Sequence, residues 1–259
     1  MSFKNGFSEV NGLRMYYEVY GQGNPLLLIH GGGSTIQTSF GKIIPLLSKN
    51  RQIIAVELQA HGRTNDRDAP LTFEQDADDV AKLLNNLSIE KTDILGFSNG
   101  GHTAIEIALR HPGIVNKLIL CSAFYNNSGV APQFWEGFDD GKVQFSDMPQ
   151  PYKDAFLQVN NNPEALLNMF NKDVQRMRTF IGWSREQVAS IKAPTLVVNG
   201  NIDVGSPEHA VEMFRIIPNC KLAILPGGHG TYMGEVSASK NDNKAVEYFI
   251  PLIEEFLDY

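Results

Sequence analysis

The sequence predicts an α/β fold in which helices cover both faces of a mostly parallel sheet. Two observations support this prediction. Short runs of five or six residues recur that are apolar at nearly every position, which is typical of strands buried on both faces. Segments with apolar residues three and four positions apart separate these runs, and that spacing is typical of amphipathic helices. Alternation of the two patterns is typical of a doubly wound sheet.

The predicted elements follow one another between turn residues. The strands are expected at 15–20, as an edge strand, and then at 25–30, 53–58, 92–95, 117–122, 195–199 and 221–225. The helices are expected at 72–87, 101–111, 207–217 and 243–257. In the first of these helices Val80 and Leu84 belong to the apolar face, while Asp76, Asp78 and Asp79 fall on the polar face.

The interval 124–192 interrupts this alternation because it holds no apolar strand run. It is rich in aromatic residues and methionines, and three prolines separate what we interpret as short helices. We predict a core formed by residues 1–123 and 193–259, with a helical cap at 124–192 inserted over one end of the sheet. Most of the aromatic residues can be explained as the small core of this insertion. The candidates for substrate contact are Phe124, Trp135, Phe138, Met177 and Phe180.

Composition and charge narrow the function classes. The 259 residues include 22 Lys+Arg and 29 Asp+Glu, a net charge of −7, and they contain no basic cluster, so no nucleic-acid partner is expected. No stretch approaches the roughly 20 apolar residues of a membrane span, and the first residues lack the apolar core of a secretory signal. Cys121 and Cys220 are too few for a disulfide scaffold and too far apart for a zinc knuckle. We expect a cytoplasmic protein with reduced thiols, without cofactor or metal, as a monomer or a homodimer.

The strongest local motif is a glycine-flanked serine directly after a predicted strand. Residues 94–101 read ILGFSNGG, so an apolar strand runs into G-x-S-x-G and then into a helix. A nucleophile on such a sharp turn has a strained backbone, and only small neighbours such as Gly96 and Gly100 permit the close approach of the chain. We therefore interpret Ser98 as a nucleophile; the alternative is an ordinary glycine-rich turn.

A second glycine motif, HGGG at 30–33, follows the apolar run 25–29. A phosphate-binding loop of the Walker type would need G-K-[ST] at its end, and here Ser34 follows Gly33. Consecutive glycines leave backbone N–H groups free to donate to an oxyanion. We predict an oxyanion hole formed by the N–H of Gly32 or Gly33 together with that of Asn99. His30 is interpreted as a residue that braces this loop.

A serine nucleophile needs a histidine base, and the base needs a carboxylate that orients it. His229 is the best candidate for the base, because a glycine-flanked loop after the last predicted strand brings it to the carboxyl edge of the sheet. Asp203 follows the strand at 195–199 and reaches the same edge. Its alternative role, capping the next helix, is better filled by Ser206. Surface or packing roles explain the remaining histidines, which are His61, His102, His111 and His209.

With nucleophile, acid and histidine in this chain order, the sequence resembles the α/β-hydrolase superfamily over essentially its whole length. The matching segments are HGGG at 30–33, QAHGRT at 59–64, GFSNGG at 96–101, NGNID at 199–203 and GGHG at 227–230. The resemblance implies an eight-stranded, mostly parallel sheet with a cap inserted after the sixth strand. One departure is Glu57, where many relatives carry Asp, and it affects the expected bracing of the following turn rather than catalysis.

The resemblance also bears on the reaction. Relatives that hydrolyse haloalkanes or epoxides use an aspartate nucleophile, so Ser98 excludes these as primary activities. We expect hydrolysis of a small, hydrophobic carboxylic ester through an acyl-enzyme. The same triad also serves carbon–carbon bond hydrolases, lactonases, thioesterases, aminopeptidases and cofactor-free perhydrolases, and these alternatives stay open. A function of another class, a small-molecule sensor on the same fold, also stays open.

Overall fold

A computed structural model describes residues 3–138, 141–238 and 244–259. In these residues eight strands form one sheet in the order β1-β2-β4-β3-β5-β6-β7-β8. The pairs β1–β2 and β2–β4 are antiparallel and the others are parallel. The strands are β1 (Lys4–Val10), β2 (Leu13–Tyr20), β3 (Pro25–Ile29), β4 (Gln52–Val56), β5 (Thr92–Phe97), β6 (Val115–Cys121), β7 (Thr195–Gly200) and β8 (Cys220–Leu225).

Helices occupy most of the connections. In the described part of the chain the α-helices are α1 (Ile36–Phe40), α2 (Ile44–Leu47), α3 (Phe73–Asn86), α4 (Asn99–Arg110), α5 (Pro132–Phe138), α6 (Gln150–Val159), α7 (Pro163–Arg178), α8 (Arg185–Ala189), α9 (Pro207–Ile216) and α10 (Lys244–Asp258). Short 3₁₀ turns lie at Pro112–Ile114, Asn127–Gly129, Phe145–Asp147 and Thr231–Met233.

The central strands are apolar throughout because each of their faces is covered. Successive side chains of a strand point to opposite faces, and in β3 Leu27 and Ile29 join one core cluster while Leu26 and Leu28 join the other. Helices α3, α4 and α9 cover the first face, and α1 and α10 cover the second. The predicted α/β-hydrolase sheet with flanking helices is therefore confirmed.

The parallel register brings the ends of the central strands to one edge. Ile29 of β3 pairs with Gly96 of β5, and Phe97 pairs with Cys121 of β6. Cys121 in turn pairs with Val198 of β7. The loops that follow β3, β5, β6 and β7 consequently start beside one another, which is where open parallel sheets place their ligand sites.

The predicted helices match α3, α4, α9 and α10 to within two residues at each end. The first residue of the last predicted helix, Asn243, lies outside the described residues. The expectation that 15–20 is an edge strand was wrong, because β1 lies outside β2 in the sheet. The sequence of β1, KNGFSEV, is mostly polar and half exposed, so it carries no apolar run. The short helices α1 and α2 were not predicted either.

The interval between β6 and β7 is helical, with α5 to α8 in the described residues. Its apolar side chains form two small clusters. One contains Phe156, Leu166 and Met169 with Met148, and the other contains Met177 packed with Phe124. Part of the second cluster belongs to the core, since Phe73 of α3 is a member.

Candidate active site

Ser98 occupies the sharp turn between β5 and α4. Its φ of 54° and ψ of −123° lie in a region that side-chain-bearing residues rarely adopt. The flanking glycines have a steric reason: a Cβ on Gly96 would lie 2.3 Å from the carbonyl oxygen of Gly100, and a Cβ on Gly100 would lie 2.1 Å from that of Ile29. The backbone therefore holds the Ser98 side chain at the carboxyl edge of the sheet, at the N-terminus of α4.

Asp203 and His229 form a hydrogen-bonded pair at the same edge. His229 Nδ1 lies 2.7 Å from Asp203 Oδ1, and that oxygen also accepts the Val204 N–H at 2.8 Å. The other oxygen accepts the Ser122 hydroxyl at 2.6 Å and the Gly200 N–H at 3.0 Å. Burial alone would raise the pKa of Asp203, but the bonds from His229 and Ser122 hold it below its usual range. Asp203 is thus an ionised group that orients the imidazole.

Ser122 had not been predicted to take part. It is the first residue after β6, and its φ of 51° again lies in the left-handed region. Its hydroxyl bridges Asp203 and the buried hydroxyl of Tyr232, with the two oxygens of the second contact 2.7 Å apart. The loop after β6 carries no carboxylate, as the sequence indicated, but it supplies this hydroxyl to the acid on the neighbouring loop.

Ser98 and His229 line one cavity of about 340 Å³ beneath the helices of the interval 124–192. Most of its other walls are apolar and come from that interval. They include Phe134, Phe138, Val143, Met148, Met169, Phe170, Val174 and Met177. Three of the five predicted substrate contacts, Phe124, Phe138 and Met177, therefore face the cavity that contains the serine.

The other two predicted contacts lie one layer back. The Trp135 ring packs against Phe124 with ring centroids 5.9 Å apart and stacks on Phe180 at the same spacing. The Trp135 indole N–H donates to the Asn127 carbonyl oxygen at 2.8 Å. Phe180 packs among His102 and the aromatic residues around it. Phe124, which follows β6 closely, contacts both of these rings and itself lines the cavity.

The HGGG loop borders this cavity and has one of its N–H groups already engaged. The Gly33 N–H donates to Asp173 Oδ2 of α7 at 2.6 Å. Among the described residues the N–H groups of Gly32 and Asn99 have no acceptor, and Asn99 is the first residue of α4, where no intrahelical partner exists. Of the two glycines that the sequence left open, Gly32 is the one with a free donor.

Asp173 belongs to a buried charge cluster that sequence reasoning missed. Its Oδ2 lies 2.9 Å from His61 Nε2, and its Oδ1 lies 2.5 Å from the Arg176 guanidinium, which also binds Asp76 at 2.8 Å. Burial lowers the pKa of His61, but the Asp173 carboxylate outweighs burial and the pKa lies above its usual range. Burial would raise the pKa of Asp173, and Arg176 and His61 hold it far below its usual range. His61 therefore has a role beyond packing.

The turn that contains His61 is well braced. Glu57 Oε2 accepts the Arg63 N–H at 2.6 Å, and Glu57 Oε1 binds the Arg63 guanidinium at 2.9 Å. The departure from Asp at this position has thus not removed the brace, because the longer side chain still reaches the turn. His30 is buried between the two loops, accepting the Leu58 N–H at 3.1 Å, and burial lowers its pKa to about 3. His30 is a neutral brace.

Three further properties of the described residues bear on function: a second groove, metal binding and membrane spans. A larger groove of about 980 Å³ lies along β2 and the start of β4, and neither Ser98 nor His229 lines it. No group of three potential ligands among the described residues is placed to hold a metal ion. None of the helices described in the structure combines the length and the apolar character that crossing a bilayer requires.

Comparison with known proteins identifies the family of this chain. A family model described as "alpha/beta hydrolase fold" matches residues 24–163, which is more than half of the chain. "Serine hydrolase BPHL" of Homo sapiens is 26% identical over 230 residues, covering 85% of this chain and 77% of that protein. A solved structure of a serine hydrolase involved in carbazole degradation, the CarC enzyme, superimposes with a TM-score of 0.80 at 21% identity and covers 99% of both chains.

A second solved structure is a variant of the meta-cleavage product hydrolase CumD from Pseudomonas fluorescens IP01. It has a TM-score of 0.77 at 22% identity, and the match covers 98% of this chain and 97% of that one. At these identities the superpositions show a shared fold. The family match, the sheet order and the strained serine turn agree, and the chain is an α/β hydrolase, a member of the alpha/beta hydrolase fold family.

Proposed function

We propose that this α/β hydrolase cleaves small, hydrophobic carboxylic esters through an acyl-enzyme on Ser98. The observation that carries the proposal is the Asp203–His229 pair, whose imidazole lines the same cavity as the strained serine. A nucleophile after β5, an orienting carboxylate after β7 and a base after β8, all at one edge of the sheet, match the requirements of serine-based acyl transfer.

In the proposed reaction His229 Nε2 takes the Ser98 hydroxyl proton while Oγ attacks the ester carbonyl carbon. The N–H groups of Gly32 and Asn99 donate to the oxyanion that forms. The carbonyl then re-forms, the alcohol leaves with the proton from His229, and the acyl group remains on Ser98. Water, deprotonated by His229, attacks the acyl-enzyme and releases the carboxylic acid.

The walls of the cavity support a hydrophobic acyl group. A volume of about 340 Å³ with phenylalanine and methionine walls suits a short to medium chain or a small ring. We further propose that 124–192 acts as a cap that keeps water from this cavity. One solved structure with this fold, CumD, is named a meta-cleavage product hydrolase. Hydrolysis of a carbon–carbon bond is the second candidate function, because the same triad serves it.

A panel of p-nitrophenyl esters from acetate to dodecanoate tests the proposal. We expect steady-state turnover with a maximum between butyrate and octanoate, and no turnover above background for Ser98→Ala. Replacement of the exposed Ser190 by Ala serves as the matched control and should leave the rates unchanged. Ligand-dependent thermal stabilisation without turnover of any ester would instead indicate the small-molecule sensor.

A further inference from the structure

We propose that Asp173 makes the cavity selective against acyl groups that carry a carboxylate. This inference rests on the proposed ester hydrolysis and adds a charge preference to it. Asp173 lies on α7, in the interval between β6 and β7. Its side chain is 12% exposed, whereas the side chains of His61 and Arg176 are more deeply buried.

Of the four side chains in the charge cluster, Asp76, His61, Asp173 and Arg176, only the Asp173 carboxylate lines the cavity. Asp173 lines the cavity, whereas His61 is fully buried and Arg176 is 5% exposed and lines a different hollow. Neither cation lines the cavity that holds Ser98. A charged group entering the cavity therefore meets the carboxylate first.

The hydrogen bonds fix Asp173 in its ionised form. The His61 Nδ1 lies 2.9 Å from the Gln59 carbonyl oxygen and its Nε2 lies 2.9 Å from Asp173 Oδ2, so both ring nitrogens face acceptors. An imidazole with two acceptors carries two protons and is a cation. The Gly33 N–H is 3.2 Å from Nε2, but its shorter contact of 2.6 Å is to the carboxylate. Asp173 thus accepts from His61, Arg176 and Gly33, as an ionised carboxylate does.

The position of this carboxylate puts it next to the proposed reaction. A Cβ built on Gly32 would lie 3.2 Å from Asp173 Oδ2 and 2.6 Å from Asn99 Nδ2. The carboxylate therefore borders the Gly32–Asn99 donor pair. A second acid, the exposed Asp147, also lines the cavity, and the described lining residues include no lysine or arginine.

These charges predict the selectivity. A carboxylate on the acyl group would lose its water in the cavity and would face the negative charge of Asp173. The described lining residues offer that carboxylate no lysine or arginine in return, so both desolvation and repulsion are unfavourable. A neutral acyl group has neither cost, and an ammonium group gains attraction to Asp173.

Three p-nitrophenyl esters with six-carbon acyl chains test this: the hexanoate, the mono-adipate and the 6-aminohexanoate. They differ only in the terminal group, which is methyl, carboxylate or ammonium. We expect kcat/KM for the hexanoate to exceed that for the adipate by about 30-fold, and the aminohexanoate to be cleaved faster than the adipate. The hexanoate-to-adipate ratio should change little between about 50 mM and about 500 mM NaCl, because a buried charge is poorly screened.

Two variants separate Asp173 from the general negative charge of the protein. Asp173→Asn should lower the hexanoate-to-adipate ratio to below about fivefold, because the amide keeps an acceptor for Gly33 but loses the charge. The matched control is Asp154→Asn, which removes an exposed acid of α6 and should leave the ratio unchanged. If Asp173→Asn fails to fold, the aminohexanoate-to-adipate ratio of the wild-type protein decides, because both terminal groups are charged and lose water while only the sign of their charge towards Asp173 differs. A ratio of one or less would then overturn the proposal.

The outcomes are distinguishable. Wild-type protein that cleaves adipate and hexanoate within threefold of each other, or a ratio that collapses in high salt, would overturn the role of Asp173 while leaving ester hydrolysis intact. Failure to cleave any of the three esters would overturn the proposed ester hydrolysis and the inference with it.

Discussion

The carboxyl edge of the sheet and the helix α7 above it contribute to the same cavity in different ways. At the sheet edge, the backbone sets the geometry: Ser98 is placed by a turn that two glycines permit, and Asp203 and His229 by loops that follow neighbouring strands. At α7, long-range ion pairs set the geometry of the charged side chains. Asp173 meets His61 across 112 positions of sequence, and Arg176 meets Asp76 across 100.

The difference separates two tasks. The sheet edge supplies the proposed reactive groups, and their relative positions follow from the strand register. Helix α7 supplies the charge of Asp173 and part of the apolar wall of the cavity. These side chains can be substituted without moving the sheet. On this account, substitutions at the edge lower turnover, whereas substitutions at the α7 contacts change stability and substrate preference.

The largest effect is expected at the sheet edge, from Ser98→Ala. Loss of the nucleophile should lower kcat by about 10⁶ for the best ester of the panel, as for other members of a serine triad. Thermal unfolding should be nearly unchanged, because among the described residues the Ser98 hydroxyl has no hydrogen-bond partner that its loss would leave unpaired. Turnover in Ser98→Ala within tenfold of wild type would remove the distinction between the two regions.

The next largest effect is expected from Asp203→Asn. The amide cannot hold the His229 tautomer that takes the serine proton, and we expect kcat to fall by about 10⁴. The measurement is steady-state kinetics at neutral pH on the same ester. A loss smaller than tenfold would show that His229 is oriented by another group.

The third prediction concerns the α7 side and is a change in stability. His61→Gln removes one of the two cations that pair with Asp173 and leaves Arg176 as the other. We expect the free energy of unfolding to fall by about 2 kcal/mol near pH 6, the loss of a buried hydrogen bond between charged groups. The pKa of His61 is raised in the folded protein, so its stabilisation is complete below its unfolded value of about 6.5 and is lost as pH rises through the folded value. The difference from wild type should therefore shrink towards pH 9 in urea titrations.

The matched control for that prediction is His111→Gln. His111 pairs with Asp78 at 2.7 Å, but both side chains are about one third exposed. Exposed pairs contribute less than about 1 kcal/mol, so the two histidine variants should differ clearly at pH 6. Equal losses in both would contradict the buried imidazolium.

The smallest predicted effect returns to the sheet edge. Ser122→Ala removes one of four hydrogen bonds to Asp203 and should lower kcat by about tenfold. Tyr232→Phe removes the contact with the Ser122 hydroxyl and the longer bond to the Val198 carbonyl oxygen, neither of which reaches Asp203 directly, and should cost less than threefold. A larger kinetic effect from Tyr232→Phe than from Ser122→Ala would show that Tyr232 acts on the site by another route.

The same comparison explains what the sequence could predict. Seven of the eight strands, the glycine-flanked serine and the order of Ser98, Asp203 and His229 depend on local patterns, which can be identified without a structure; the polar strand β1 carries no such pattern. Asp173 has no such signal. Arg176 lies three positions away on the same helix, but His61 and Gly33 lie 112 and 140 positions away, and their proximity depends on how the interval 124–192 folds. The choice of Gly32 over Gly33 depended on Asp173 and stayed open for the same reason.

The central claim is that Ser98 is the nucleophile of this cavity, and covalent labelling with a fluorophosphonate tests it most directly. Intact-mass spectrometry of the wild-type protein should show one adduct per chain, and peptide mapping should place it on Ser98. Preincubation with a short-chain ester should slow the labelling, and Ser98→Ala should take up no label while unfolding at the wild-type temperature. A folded wild-type protein that stays unlabelled, or an adduct on any other residue, would contradict the account.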